Sequence, residues 1–367
     1  MNKKPVSKVL LTFISIFALL IGTLLGALTR FYTTLPTSDS IISGDLKIHF
    51  MELGNNYSGD SILIQIGEYD ILVDAGSKTS SLETIKKYVD THVRDGKLEY
   101  VIVTHAHEDH YANFAGNGEI SLFSYYETDN IIQFPKTNQT TGKMYQNYLA
   151  MVEKEKEDGA NVYTALECYN NQNGCTKTID LGFSVELEIL YNYYYENKAS
   201  SENDYSVCFM INQGNNHFLF TGDLEKDGEE KLVELNSLPE VTLYKAGHHG
   251  SKTSSSDELL NVIKPKIVVV TAVTGSVEYT QNLDNTFPTT ETLKRIAKHT
   301  DKVYATSLGQ IEFQGKEYED IGFTSLNGDI VVESNSNGVI VNGSNNNKLL
   351  KDTDWYKTYR NNIDEWK

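Results

Sequence analysis

Three features that identify common classes of binding protein are missing from this 367-residue sequence. The three cysteines include no Cys-x-x-Cys pair, so a metal site built from thiolates is not indicated. No basic run occurs, and 50 acidic against 32 basic residues give a net charge of −18. Because phosphate contacts dominate the affinity for long nucleic acids, this charge argues against tight DNA binding. No repeat of fixed period is visible, so one large α/β domain is the simplest organisation.

The cysteines themselves predict a disulfide and a free thiol. Cys168 and Cys175 flank a polar loop, and in an oxidising compartment they are expected to pair. Cys208 lies in an apolar stretch, where a buried and inert thiol is expected.

One long uncharged run occurs near the amino terminus, from Val9 to Thr29, and three lysines precede it. About twenty apolar residues are enough to cross a bilayer as a helix, and the lysines favour a cytoplasmic amino terminus. Residues 1–30 are therefore predicted to form a transmembrane anchor, with a catalytic domain outside the membrane. A cleaved signal peptide of a secreted protein is the alternative, although no Ala-x-Ala cleavage site follows the run.

Beyond a linker at 31–44, strand-like and helix-like segments alternate, and polar residues follow the strands. Tyr100–Val103 leads into a histidine cluster, Phe218–Phe220 into Asp223, and Val241–Lys245 into a pair of histidines. Since sites in α/β proteins gather where strands end, these residues are expected to meet. The predicted domain covers 45–342. A polar tail at 343–367 follows, and whether it docks is left open.

The segment His105-x-His107-x-Asp109-His110 is the most informative in the chain. Alternate residues of an extended segment point the same way, so His105, His107 and Asp109 can converge while His110 points elsewhere. Imidazole and carboxylate together suit zinc, manganese or iron. The segment therefore predicts ligands for two adjacent metal ions.

Further candidates lie downstream of this segment. Asp223 ends an apolar strand, where its carboxylate can bridge two ions or cap the following helix. His248 and His249 lie between glycines, so one can ligate while the other contacts substrate or supports a ligand. Asp74, at another strand end, is expected to orient the histidine segment through hydrogen bonds.

Together these motifs resemble the metallo-β-lactamase superfamily. They are Gly59-Asp60-Ser61, Val73-Asp74-Ala75-Gly76, Thr104-His-Ala-His-Glu-Asp-His110, Phe220-Thr-Gly-Asp223 and Ala246-Gly-His-His-Gly-Ser251. Within the superfamily the sequence is most similar to the hydrolase domain at the carboxyl end of the bacterial DNA-uptake (competence) channel protein and to stand-alone exported relatives. The resemblance covers about residues 45–306, with a diverged end near 341. It implies an αββα sandwich of two mixed β-sheets with outer helices.

The resemblance also implies a dinuclear site with assigned ligands. The first ion is expected at His105 and His107 and the second at Asp109, His110 and His248, with Asp223 bridging. The superfamily's additional histidine has no clear counterpart, and Asp204 is the predicted substitute. Asp109 and His249 are the predicted catalytic residues. Phe287 occupies a position where close relatives carry a histidine before proline, which removes any phosphate contact expected there.

These implications predict a metal-dependent hydrolase with two divalent ions, zinc first and manganese or iron as alternatives. A metal-activated water suits a phosphodiester substrate, either small or polymeric. The expected polymer is a cell-envelope phosphodiester such as a phosphocholine-bearing teichoic acid, for which Tyr193–Tyr195 offer aromatic faces. DNA is the second substrate and is disfavoured by the net charge. A lactonase or β-lactamase-type acyl hydrolase and a non-catalytic binding module remain alternatives.

Overall fold

Two eight-stranded sheets form the centre of the protein. The computed structural model describes residues 46–335 and 337–366. The strands are β1 (Leu46–Phe50), β2 (Ile62–Ile66), β3 (Tyr69–Val73), β4 (Lys97–Val103), β5 (Glu127–Gln133), β6 (Asn161–Thr164), β7 (Thr178–Asp180), β8 (Val185–Ile189), β9 (Phe209–Gln213), β10 (Asn216–Phe220), β11 (Leu243–Lys245), β12 (Ile267–Thr274), β13 (Val303–Phe313), β14 (Tyr318–Ser325), β15 (Ile330–Asn335) and β16 (Gly338–Gly343).

Helices accompany both sheets. They are α1 (Leu82–His92), α2 (Glu108–Ala115), α3 (Lys143–Glu157), α4 (Ala165–Tyr169), α5 (Lys226–Leu235), α6 (Asp257–Ile263), α7 (Thr290–Ala297) and α8 (Asp354–Tyr359). Several are amphipathic: α7, for example, buries Leu293 and Ile296 and exposes Glu291. Two mixed sheets with helices confirm the predicted αββα sandwich.

The strand order explains how a site can form at one edge. The first sheet runs β16-β15-β1-β2-β3-β4-β5-β6 and the second β14-β13-β12-β11-β10-β9-β8-β7. Strands β3 to β6 are mutually parallel, and so are β10 to β13. The carboxyl ends of parallel strands open on one edge of a sheet, where ligands usually bind. The sheets share a core, in which Phe50 of β1 stacks on Phe220 of β10 with ring centroids 6.3 Å apart.

The carboxyl-terminal part adds strands to both sheets. Strand β14 pairs with β13 in the second sheet, whereas β15 pairs with β1 in the first sheet and forms a hairpin with β16. The sequence left open whether the residues after 343 dock, and in the structure they pack on the protein. Leu350, Trp355, Ile363 and Trp366 are buried in the apolar core behind the second sheet.

Other expectations concern the cysteines and the amino terminus. Cys168 and Cys175 form the predicted disulfide, and Cys208 is a buried free thiol. The predicted anchor at 1–30 and the linker at 31–44 lie outside the described residues. Within the two described ranges, every helix is too short or too polar to cross a bilayer.

Candidate metal centre

Strand ends from both sheets bring the predicted ligands to one place. They are Asp74 after β3, His105 and His107 after β4, Asp109 and His110 in the first turn of α2, Asp223 after β10, and His248 and His249 after β11. All except His107, Asp109 and His248 are buried. The histidine segment and the residues that follow the other strands therefore form one cluster.

A glycine allows the histidine segment to sit against the end of β3. A Cβ atom on Gly76 would lie 1.5 Å from the carbonyl oxygen of Asp109, so no larger residue fits. Beside this contact, the backbone N–H of Ala75 donates to the carbonyl of His110 at 2.7 Å. The motif Asp74-Ala75-Gly76 thus positions the first turn of α2 through its backbone as well as its side chains.

Asp223 is the centre of the cluster. Its Oδ2 atom lies near the Nε2 atoms of four histidines, at 3.1 Å (His110), 3.5 Å (His249), 3.9 Å (His105) and 3.9 Å (His248). Ligand atoms about 2.1 Å from a tetrahedral metal lie roughly 3.4 Å apart, and these separations bracket that value. The carboxylate is therefore placed to share ions held by neighbouring imidazoles.

Hydrogen bonds fix the orientation of His110. Its Nδ1 donates to Asp74 Oδ2 at 2.7 Å, and this leaves Nε2 facing Asp223. Thr104 holds the same carboxylate, with its N–H donating at 2.8 Å and its hydroxyl at 2.7 Å. Carboxylates that accept from the outer nitrogen of a ligating histidine fix its tautomer and raise its basicity. Asp74 thus has the orienting role predicted for it.

The two adjacent histidines approach Asp223 because both have left-handed backbone conformations, with φ of 49° at His248 and 54° at His249. His249 donates from Nδ1 to the Thr271 carbonyl at 2.8 Å, so its Nε2 points to Asp223 and to Asp109, 3.4 Å away. His248 Nδ1 lies 3.1 Å from the Thr253 hydroxyl. The structure groups His249, rather than His248, with Asp109, His110 and Asp223.

Sequence reasoning missed a buried lysine under the cluster. Lys245 is 1% exposed, and its Nζ lies 2.5 Å from Asp60 Oδ2 and 3.8 Å from Asp223 Oδ1. Thr271 also donates its hydroxyl to Asp60. Burial disfavours the ammonium form, but Asp60 and Asp223 outweigh that effect and raise the pKa of Lys245. The sequence did contain a signal for this residue: a lone lysine ends an apolar strand just before the paired histidines.

Asp204, the predicted substitute ligand, lies elsewhere. Its Oδ1 accepts the backbone N–H of Glu225 at 3.2 Å, next to the start of α5. Among the described residues, two groups have ligand atoms close enough together to hold an ion: one is Asp109, His110, Asp223 and His249, and the other is Asp60, Asp74 and His110. Asp204 is in neither group, and nor are His105, His107 and His248. A carboxylate at a helix amino terminus satisfies free N–H groups, which accounts for its buried position.

The electrostatics of the cluster fit bound cations. Desolvation would lower the pKa of His249, but Asp223 and Asp60 outweigh it and raise that pKa to about 10. The pKa of His110 is likewise raised well above its ordinary value, because Asp223 and Asp74 overcome its burial. Asp223 Oδ1 and His249 Nε2 are buried without a hydrogen bond. Divalent ions bound here would neutralise the carboxylates and coordinate the polar atoms that have no hydrogen bond.

A cavity of about 290 Å³ opens above the cluster, lined by Lys78, His107, Glu108, Asp109, His248 and Tyr279. Tyr279, also missed in the sequence, donates its hydroxyl to Asp109 Oδ2 at 3.3 Å. Phe287 packs behind it, with ring centroids 5.3 Å apart. Tyr193–Tyr195 are not among the lining residues, and the Tyr195 hydroxyl accepts the backbone N–H of Cys208 inside the protein.

A known protein family matches the part of the chain that contains the cluster. The model of the anti-Pycsar protein Apyc1 family matches residues 50–256, more than half of the chain and all of the cluster. The chain belongs to the Apyc1 family. The matched part of the Apyc1 family model runs from β1 to the loop before α6 and therefore leaves out Tyr279 and Phe287.

Members of the competence group are also similar to the chain. ComE operon protein 3 of Bacillus subtilis is 23% identical over 224 residues, which are 60% of this chain and 25% of that protein. Competence protein ComA of Neisseria gonorrhoeae is 34% identical over 122 residues, 32% of this chain and 16% of that protein. The chain thus spans a quarter or less of these relatives. Their names confirm the predicted resemblance to competence proteins.

Solved structures are more distant. The metallo-β-lactamase fold protein YhfI from Bacillus subtilis is 13% identical, with a TM-score of 0.42 over 71% of this chain and 95% of that one. A diphosphatase from the PhnP family is 12% identical, with a TM-score of 0.34 over 61% and 86%. The fold assignment rests on the strand order described above.

Proposed function

We propose that the chain is a dinuclear metal-dependent phosphodiesterase. The observation that carries the proposal is the position of Asp223, whose Oδ2 lies within 3.9 Å of four histidine nitrogens. We assign His105, His107 and His248 to one ion and Asp109, His110 and His249 to the other, with Asp223 shared. When bound, two divalent ions supply Lewis-acid stabilisation of phosphoryl oxygens and activate a water molecule for attack. Zinc is the first candidate because imidazole and carboxylate ligands suit it.

This assignment differs from the one implied by resemblance. His249 takes the place expected for His248, because its Nε2 is 3.4 Å from Asp109 Oδ2. His248 lines the cavity together with His107, which supports our assigning to it the place of the superfamily's additional histidine. Asp204 is then not needed as a ligand.

The other residues of the site hold the ligands still. Asp74 fixes the proton of His110 on Nδ1, and the Thr271 carbonyl does the same for His249. Asp60 and Lys245 form a buried ion pair beneath Asp223 and balance part of its charge. Such support keeps the ligand geometry constant when substrate binds.

The cavity and the charge of the chain guide the choice of substrate. A volume of about 290 Å³ accommodates one phosphoryl group with its nearest substituents. The net charge of −18 disfavours tight binding of long DNA, so a small or cell-envelope phosphodiester is preferred. An exported or membrane-anchored location, taken from the apolar run at 9–29, is part of the same proposal.

The test uses the full-length protein loaded with zinc or manganese. We expect hydrolysis of bis-p-nitrophenyl phosphate that EDTA abolishes and that Asp223→Asn reduces at least about 100-fold, since it removes the shared ligand. Asp204→Asn is the matched control, because it neutralises a buried aspartate outside the cluster, and it should retain activity.

Competing substrates separate the alternatives. Faster hydrolysis of p-nitrophenyl phosphorylcholine would favour envelope substrates, while activity on nitrocefin alone would replace the proposal with an acyl hydrolase. If bis-p-nitrophenyl phosphate, p-nitrophenyl phosphorylcholine and nitrocefin all show no metal-dependent turnover, the proposed function is contradicted.

A further inference from the structure

Tyr279 sits at the mouth of the metal-site cavity. It belongs to the long connection between β12 and α7, and its side chain is 55% exposed. Its hydroxyl is 3.3 Å from Asp109 Oδ2, a contact that joins residues 170 positions apart. A phenol is therefore held directly beside a proposed ligand while remaining accessible from solvent.

The position of Tyr279 is fixed on two sides. Its ring packs on Phe287, which in turn lies 5.8 Å from His248 and 6.1 Å from His249, measured between ring centroids. On the other side, the neighbouring Glu278 carboxylate accepts the backbone N–H of Ser58 at 3.0 Å. An exposed tyrosine that is anchored through its neighbours keeps its hydroxyl in one place.

The depth of the site indicates which substrate oxygen would meet this hydroxyl. Asp223 forms the floor and is 1% exposed, whereas Tyr279 is at the solvent side. In an in-line displacement the attacking and leaving oxygens lie on opposite sides of phosphorus. Water attacking from the floor would thus direct the leaving group toward the mouth.

Few groups at the mouth can donate a hydrogen bond to that oxygen. Apart from the histidines, the residues lining the cavity offer the hydroxyl of Tyr279 and the ammonium of Lys78. Lys78 is engaged in an ion pair with Glu108 at 2.5 Å. Phe287, nearby, has no polar hydrogen to donate. Tyr279 is the donor that can turn from Asp109 to the substrate without breaking an ion pair.

We propose that the Tyr279 hydroxyl donates a hydrogen bond to the leaving-group oxygen and is a catalytic residue. The inference rests on the proposed phosphodiesterase function. The attacking water gives one proton to solvent and enters as hydroxide. As the bond from its oxygen to phosphorus forms, the bond to the leaving oxygen breaks and its electron pair stays on that oxygen. The phenol stabilises the developing negative charge and keeps its proton, and solvent protonates the released alcohol.

The test compares Tyr279→Phe with wild type on aryl phosphodiesters that differ only in the leaving phenol. p-Nitrophenolate needs little stabilisation, so we expect less than about a 3-fold loss of kcat for it. With unsubstituted phenol as leaving group the loss should reach about 10- to 100-fold, the contribution of one hydrogen bond to a charged oxygen. The dependence of log kcat on leaving-group pKa should therefore become steeper.

Two controls distinguish a catalytic role of Tyr279 from a role in positioning Asp109. Tyr279→Phe keeps the ring and should bind the same amount of metal by inductively coupled plasma mass spectrometry. Tyr125→Phe, at an exposed tyrosine outside the cavity, should change neither quantity. Equal losses for all leaving groups, a lower metal content, or no loss would overturn the inference. A wild-type protein inactive on every phosphodiester would overturn the proposed function as well, and so the two failures are distinguishable.

Discussion

Replacing Arg360 with alanine should loosen the loop that carries Phe287, whose ring packs on Tyr279 at the metal-site cavity. Arg360 follows α8, is 1% exposed, and donates from Nη2 to the carbonyls of Leu283 at 2.7 Å and Thr286 at 3.0 Å. Its guanidinium also lies over the Trp355 ring, 4.7 Å from the centroid. Phe287 directly follows Thr286 in the loop that Arg360 holds, and its ring packs on His248 and His249.

The size of the effect follows from the bonds that are lost. Burial lowers the pKa of Arg360 to about 10, although Asp284 opposes that shift, so the side chain is charged at neutral pH. The Leu283 carbonyl keeps the Thr286 hydroxyl, which donates to it at 2.8 Å. Leaving the Thr286 carbonyl without a donor costs about 1–3 kcal/mol. Loss of the contact with Trp355 adds about 1 kcal/mol. We therefore expect Arg360→Ala to lower the free energy of unfolding by about 2–4 kcal/mol.

Urea unfolding and kinetics together check this prediction. kcat/KM on bis-p-nitrophenyl phosphate should fall, because Phe287 and Tyr279 lose their support, while the metal content stays the same. Lys357→Ala is the control, since that lysine is exposed on the same helix and donates to the Asp352 carbonyl. If Arg360→Ala unfolds at the wild-type urea concentration with unchanged kcat/KM, the carboxyl-terminal segment does not support the site.

Three further predictions concern other parts of the molecule. His249→Ala should reduce the metal content from two ions to one per chain by mass spectrometry, and retention of both ions would refute its assignment as a ligand. Replacing both Cys168 and Cys175 with serine opens a short loop, with sequence separation 7, and should lower stability by about 2–3 kcal/mol in thermal unfolding; an unchanged Tm under oxidising conditions would contradict this. Burial, assisted by Asp158, raises the pKa of Glu155 to about 7 from 4.5. Between these values the unfolded carboxyl is ionised while the folded one keeps its proton, so stability falls as pH rises. Glu155→Gln should flatten that fall in urea titrations, and an identical pH profile would rule out this group as its cause.

How much the sequence could predict depended on the distance between interacting residues. The spacing of His105, His107, Asp109 and His110 indicated a metal site because four chemically matched side chains lie within one turn and a short extended segment. The orienting role of Asp74 was also predictable, since a strand end beside small residues has few other uses. These inferences needed only local geometry.

Long-range contacts that involve no motif at a strand end were not predictable from one sequence. Tyr279 reaches Asp109 across 170 positions, and Lys245 pairs with Asp60 across the two sheets. The segment after 343 was predicted to be a polar tail because Leu350 and Trp355 are spaced among asparagine, lysine and aspartate. Its apolar side chains face one side only after the chain has folded back on the second sheet.

The charges of the buried cluster connect these findings. The carboxylates of Asp60, Asp74, Asp109 and Asp223 surround the site, and Lys245 is the buried cation paired with them. With neutral histidines the cluster carries about three uncompensated negative charges, which would repel a phosphodiester. The two divalent ions proposed above would reverse that sign and leave a small positive excess. The raised pKa values of His110 and His249 reflect the same demand for positive charge, met by protons instead of metal. The proposed metal ions would therefore compete with protons for these two imidazoles, and an anionic substrate should bind well only after the ions have replaced the protons.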